Sequence, residues 1–119
     1  MTNNYNSLKI KVSKFENVTT RPMFGYQCFS INRKFFVGFS NKNDHTIIVR
    51  LSKVQQELAV KNNAIMPFSH GAKMGWIEID VKKTTNASAL KWITKGYENA
   101  KMLAKFNEMC DSNTRKLVK

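Results

Sequence analysis

Few residues in this sequence are of the types that perform catalysis or bind metals. The histidines are His45 and His70, and the cysteines are Cys28 and Cys110. Cys28 and His70 would form a nucleophile and its base if the fold brought them together. A small core cysteine and an unrelated loop histidine explain these two residues more simply. No segment has the spacing of a metal site, paired catalytic carboxylates or a glycine-rich phosphate loop, so we expect no catalytic residue, no metal and no cofactor.

Net charge is the strongest compositional signal for function. The 20 Lys and Arg residues exceed the 8 Asp and Glu residues, which gives a net charge of +12 over 119 residues. Such an excess attracts nucleic acids, anionic membranes or acidic proteins, although lysine-rich surfaces also serve simply to keep proteins soluble. Because lysines far outnumber arginines, contacts with a phosphate backbone are favoured over reading of a base sequence.

Two groups of cations are candidate contacts for nucleic acid or for a protein partner. Arg33 and Lys34 fall at the tip of a predicted hairpin. The second group recurs along the last predicted helix and comprises Lys91, Lys95, Lys101 and Lys105. Helical spacing separates this second group from the apolar residues of the helix, so the alternative for it is a solvated helix face.

Alternating and aromatic-rich segments predict an antiparallel sheet of about four strands. The segments cover residues 26–31, 34–39, 45–51 and 76–81. Asn32 and Arg33 are predicted to form a short turn between the first two strands. The connections among the first three strands are too short for parallel crossovers, so these strands should form an antiparallel meander.

Three segments predict helices beside this sheet. They cover residues 5–15, a short segment after Ser52, and residues 87–109. The first segment has an apolar helical stripe but also contains a stretch that alternates like a strand. Ser52 and Gln55 form a capping box for the second helix, in which Val54 and Leu58 are expected to face the core. The predicted fold class is α+β, with flanking helices that cover one face of the sheet.

The length of the chain fits a single domain. We place this domain at residues 1–110, followed by a basic flexible tail at residues 111–119. The first residues contain no apolar run that would act as a signal peptide or span a bilayer. We therefore expect a cytoplasmic protein that does not bind membranes and is a monomer or a weak homodimer.

The stretch from Arg21 to Gly25 is a candidate contact site. Pro22 favours an extended backbone, and Gly25 allows a bulge or a close backbone approach where a strand begins. Met23 and Phe24 should then divide between the core and the outer surface. Arg21 beside an exposed aromatic ring would contact an anion or a protein. The alternative is a purely structural role, in which the stretch begins a strand and buries Met23.

Four runs resemble the TfoX N-terminal domain family in order and spacing. They are VTTRPMFGYQCFSINRKFFVGF, IIVRLS, PFSHGAKMGWIEID and ALKWITKGYENAK, within residues 15–105. The matching residues are Arg21, Met23, Phe24, Gly25, Phe35, Arg50, Pro67, Met74, Gly75, Trp76 and Trp92. Tyr26 stands where the family usually has a second glycine. The resemblance implies an α+β domain of YjbR-like shape, similar to regulators of natural competence that assist the cyclic-AMP receptor protein at promoters.

Two functional hypotheses follow. The first is a non-enzymatic binding module that acts in transcription through a protein partner or through non-specific contacts with nucleic acid. The alternative is a domain that binds a small molecule or an anion in a pocket between sheet and helix, edged by Arg21, Arg50 and Trp76.

Overall fold

The computed structural model describes the backbone of residues 4–118 and the side chains of residues 5–103. Three helices are present in this part of the chain: α1 (Asn4–Ser13), α2 (Lys53–Ala59) and α3 (Asn86–Val118). The strands are β1 (Val18–Met23), β2 (Tyr26–Ile31), β3 (Lys34–Ser40), β4 (Thr46–Arg50), β5 (Ile65–Pro67) and β6 (Trp76–Asp80). A 3₁₀ turn at Ala72–Met74 precedes β6. Within the described residues, no helix is both long and apolar enough to span a membrane.

The strands form one antiparallel sheet in the order β1-β2-β3-β4-β6-β5. The predicted α+β class and the four predicted strands are confirmed, but the expected number of about four strands is wrong because the sheet has six. Both additional strands lie at the edges. Residues 19–22 of β1 are exposed and include Pro22, so this strand has no clear apolar alternation. β5 has only three residues and ends in Pro67.

Two tight turns connect the first three strands. Asn32 and Arg33, between β2 and β3, have φ angles of 47° and 68°. Phe24 and Gly25, between β1 and β2, have φ angles of 53° and 82°. Two successive residues with positive φ are typical of hairpin turns that match the right-handed twist of the strands. The β2–β3 hairpin predicted from the Asn-Arg pair is confirmed, and it places Lys34 directly after the turn.

The main core lies between one face of the sheet and the helices α1 and α3. Its fully buried strand residues include Ile47 and Val49 of β4, and Ile77 and Ile79 of β6. Tyr5, Leu8 and Val12 of α1 are buried in the same core, which confirms the helical interpretation of this segment. The ring of Tyr5 packs edge-to-face on Phe39, with ring centroids 5.3 Å apart.

Gly96 allows α3 to lie unusually close to the sheet. A Cβ atom at this position would lie 2.8 Å from Cγ1 of Val49 and 3.0 Å from the carbonyl oxygen of Arg50. Only glycine lets two backbones approach to this degree without displacing a neighbour. Ile93 and Ala100, on the same side of α3, are buried. The helix is therefore held against the end of β4, where the pocket described below is located.

Helix α2 packs differently from the prediction. Its capping box is confirmed, but the expected inward pair is wrong: Val54 is 68% exposed and Leu58 is 53% exposed. Gln56 and Ala59 are buried instead. The side chain of Gln56 donates hydrogen bonds to the carbonyl oxygens of residues 72 and 76, at 2.9 Å and 3.1 Å. A polar anchor, which hydrophobic periodicity does not detect, thus sets the rotation of this short helix.

Candidate functional pocket

A pocket of about 490 Å³ lies where the β2–β3 hairpin, the end of β4, the start of α2, the 3₁₀ turn and α3 meet. We call it the β4–α3 pocket. Its described lining residues are Lys34, Phe35, Arg50, Leu51, Ser52, Lys53, Lys73, Met74, Gly96, Asn99, Ala100, Met102 and Leu103. The volume lies within the range of ordinary small-molecule sites.

Hydrogen bonds from residues distant in sequence hold the pocket wall that the 3₁₀ turn forms. The backbone N–H of Leu51 donates to the carbonyl oxygen of Gly75 at 3.0 Å. The ammonium group of Lys53 donates to the carbonyl oxygen of Ala72 at 3.2 Å. The buried amide of Gln56 donates to the same oxygen. The turn that carries Lys73 and Met74 is therefore held by both β4 and α2.

Gln55 stabilises the opposite wall of the pocket through two hydrogen bonds. Its side-chain oxygen accepts a hydrogen bond from the backbone N–H of Ser52 at 3.1 Å, as the capping box requires. The same oxygen accepts a hydrogen bond from the side-chain amide of Asn99 at 2.5 Å. One glutamine thus caps α2 and joins it to α3. The pocket is preformed by these bonds, which lowers the ordering cost of binding a ligand.

The lining combines positive charge with an apolar surface. Its cationic residues are Lys34, Arg50, Lys53 and Lys73, and no Asp or Glu occurs among the described residues that line it. Its larger apolar residues are Phe35, Leu51, Met74, Met102 and Leu103. A mostly apolar cavity with a few polar groups at its edge is the usual composition of a ligand site. This one suits a ligand that carries negative charge next to an apolar part.

The residues predicted to edge a pocket are only partly brought together. Arg50 lines the β4–α3 pocket, and Trp76 lies opposite it in the pairing of β4 with β6. The Trp76 ring packs against Gly71, since a Cβ atom added at Gly71 would lie 2.6 Å from Cδ1 of the ring. Trp76 is not among the described residues that line the pocket. Arg21 lies on β1, opposite Cys28 and three strands from Arg50.

The remaining residues of the Arg21–Gly25 stretch lie at the other end of the sheet. Met23 is half-buried at the end of β1. Phe24 and Gly25 form the β1–β2 turn, and the Phe24 side chain is 90% exposed. Because β2 separates this turn from Lys34, the stretch and the β4–α3 pocket are separate surfaces.

The cations predicted on α3 have unequal exposure. Lys91 and Lys101 are exposed, and Lys95 is half-buried. The ammonium group of Lys91 lies 5.2 Å from the centroid of the Trp92 ring. The Lys105 side chain lies outside the described residues. At the hairpin tip Arg33 is exposed and Lys34 lines the pocket.

The environment of Cys28 does not favour a nucleophile. The residue is 4% exposed, and burial raises the pKa of its thiol, although the charge of Arg21 acts in the opposite direction. A raised pKa lowers the fraction of thiolate at neutral pH. His70 is exposed, and its ring contacts Phe68 with centroids 5.6 Å apart. Within the part of the chain that the structure describes, no three His, Cys, Asp or Glu residues cluster as metal ligands would.

Comparisons of this chain with protein-family models, with curated proteins and with solved structures find no match. The resemblance to the TfoX N-terminal domain family therefore stays a prediction, based on the residues that first indicated it.

Proposed function

We propose that this chain is a non-enzymatic binding module that takes an anionic ligand with an apolar part into the β4–α3 pocket. The observation that carries the proposal is the lining itself, which has four cationic residues, no described carboxylate and five larger apolar side chains. The proposal develops the second hypothesis drawn from the sequence, a domain that binds a small molecule or an anion. Arg50 was predicted to lie at the edge of such a pocket, and the lining also contains Lys34, Lys53 and Lys73.

The chemistry of the lining decides between ligand classes. An apolar ligand without charge would leave the cations without an anionic partner, and a small inorganic anion would leave the apolar wall in contact with water. Burial of apolar area contributes about 25 cal/mol per Å², so an apolar tail of even modest size adds measurably to affinity. Charge-assisted hydrogen bonds from lysine or arginine then orient the anionic end.

Titration with four matched probes tests this proposal. Decanoate and decyl phosphate carry both features, decanol lacks the charge, and inorganic phosphate lacks the tail. Below micelle-forming concentrations, the first two should raise the Tm progressively with the logarithm of probe concentration. The corresponding gain in stability is about 2.7 kcal/mol when the free probe is at 100 times its Kd. An equal effect of decanol or of inorganic phosphate would refute the proposal.

A second candidate function, which the positive charge of the sequence favours, is non-specific binding to a nucleic-acid backbone. The exposed side chains of Lys91, Lys101 and Arg33 favour it, together with the net charge of +12. The resemblance to the TfoX family adds the idea of a protein partner at promoters. In this role, contacts with phosphates would fix the position of the domain without reading a sequence.

Salt dependence tests the nucleic-acid candidate. If Lys91, Lys95, Lys101 and Lys105 all contact phosphates, the slope of log affinity against log salt for duplex DNA should be about −3 to −4. Changing Lys95 and Lys101 to Glu should weaken binding to every sequence alike and flatten that slope. Fluorescence anisotropy over a salt series measures both effects. Identical curves for the double variant and the wild type would remove α3 from this role.

A further inference from the structure

Most of the exposed large apolar side chains lie on three elements that contribute residues to the pocket. Eight large apolar side chains are exposed among the described residues. Five of them lie on α2, the 3₁₀ turn and α3: Val54, Leu58, Met74, Met102 and Leu103. The other three, Ile10, Phe24 and Met66, lie on separate elements. Concentrations of exposed apolar surface on a soluble protein mark interaction sites.

This apolar surface extends beyond the pocket. Met74, Met102 and Leu103 line the pocket, whereas Val54 and Leu58 do not. The hydrogen bond between Gln55 and Asn99 holds α2 against α3. Val54 and Leu58 are one helical turn apart and point away from the buried side of α2, so they form a short apolar ridge on this helix. The start of the same helix, at Ser52 and Lys53, lines the pocket. A small ligand inside the pocket would leave this ridge uncovered.

The charge of the region defines the complementary partner. Cations line the pocket, and Glu57 is the single acidic residue of α2. A partner that covers both the ridge and the pocket mouth must therefore be apolar along one side and acidic beside it. Nucleic acid has the charge, but a phosphate backbone offers no apolar side to cover the ridge. Single strands bind largely by stacking of their bases on aromatic rings, and Phe35 is the only aromatic side chain among the described lining residues.

Resting on the proposed function, we propose that the natural ligand of the β4–α3 pocket is an acidic amphipathic helix of a partner protein. One apolar side chain enters the pocket, and the next ones along the same face pack on Val54 and Leu58. Carboxylates flanking that face pair with the lysines of the rim. Helices bind grooves in this way through residues spaced at i, i+3, i+4 and i+7. Three such positions span about 10 Å at 1.5 Å per residue. Methionines such as Met74 and Met102 adapt well to such side chains.

Selection from a displayed library of random 16-residue peptides on the full chain tests this inference. The selected peptides should share acidic residues and apolar residues at helical spacing. A synthetic copy of one of them should bind in fluorescence anisotropy. The variant Val54→Ser/Leu58→Ser should weaken this binding at least 10-fold, while the affinity for decanoate stays unchanged. Both side chains are exposed, so folding should be unaffected. The variant Ile10→Ser, with an equally exposed apolar residue on α1, is the matched control.

The outcomes separate this inference from the function on which it rests. If the selected peptides lack acidic residues, or bind the ridge variant as well as the wild type, the helical partner is refuted while decanoate binding still supports the pocket. If decanoate also fails to bind, the proposed function itself fails. Tighter binding of a single-stranded oligonucleotide than of any selected peptide would overturn the choice of a protein partner.

Discussion

Replacing Gly75 with alanine should lower the free energy of unfolding by roughly 2–5 kcal/mol. Gly75 has a φ of 93°, and a side chain in left-handed backbone costs about 1–2 kcal/mol. In addition, a Cβ atom would lie 1.9 Å from the carbonyl oxygen of Leu51. Relieving this clash requires a backbone shift, and overpacking costs about 1–3 kcal/mol or more. The clash also opposes the hydrogen bond from Leu51 to Gly75 that anchors one wall of the pocket.

Gly25→Ala is the matched control for the Gly75 variant. Gly25 also has a positive φ, of 82°, but among the described residues beyond its chain neighbours a Cβ atom would meet only the flexible Cε of Lys42, at 3.5 Å. This variant should lose about 1–2 kcal/mol, from the backbone alone. Urea denaturation of both variants measures the difference. Equal losses would mean that the close contact between the Gly75 turn and β4 does not exist in solution.

Reversing two charges of the pocket should weaken binding of decanoate or decyl phosphate by roughly 10- to 100-fold. In the variant Lys34→Glu/Lys73→Glu, two cations of the lining are replaced by groups that repel the anionic end. A hydrogen bond to a charged group contributes about 1.5–3 kcal/mol, and exposure to solvent reduces this value. Lys53 is left unchanged because it also holds the 3₁₀ turn through Ala72.

The variant Lys11→Glu/Lys14→Glu changes the net charge by the same amount. Both residues are exposed; Lys11 lies on α1 and Lys14 directly after it, and neither is among the described residues of the pocket. This control should bind the probes nearly as well as the wild type. Isothermal titration calorimetry at fixed ionic strength compares the three proteins. Equal losses in the two variants would show that the overall field, and not the pocket, attracts the anion.

Much of the fold was predictable from the sequence because local patterns determine it. β2 was predicted with its observed bounds, Tyr26–Ile31, and β6 differs from its prediction by one residue at its end. Alternation and turn residues act within a few positions, so they are visible in sequence. The two edge strands were missed because an edge strand needs neither alternating apolar residues nor a backbone N–H donor at every position. Pro22, which lacks a backbone N–H, lies within β1.

The last helix extends beyond its predicted end. The periodicity of apolar residues indicated a helix over residues 87–109, whereas the backbone of α3 continues to Val118. The side chains of this last part lie outside the described residues. The division of the chain at residue 110 therefore stays a prediction.

The candidate site was only partly predictable because long-range contacts assemble it. Lys34 and Arg50 were singled out for their charge, but the sequence does not indicate that the β2–β3 hairpin and the end of β4 meet α3 at one cavity. The bond from Asn99 to Gln55 joins residues 44 positions apart, and it has no local signature. The capping box, which was recognised, was the one available sign that Gln55 has a structural role.

An NMR titration of the full chain with decanoate is the decisive test of a binding function for the β4–α3 pocket, because it locates the ligand as well as detecting it. We expect the largest changes in backbone amide shifts at the walls of the β4–α3 pocket, at residues such as Lys73, Gly96 and Asn99. The changes should saturate with the same Kd that calorimetry gives. Changes centred instead on the β1–β2 turn around Phe24, or spread along the exposed lysines of α3 without saturation, would contradict a binding function for this pocket.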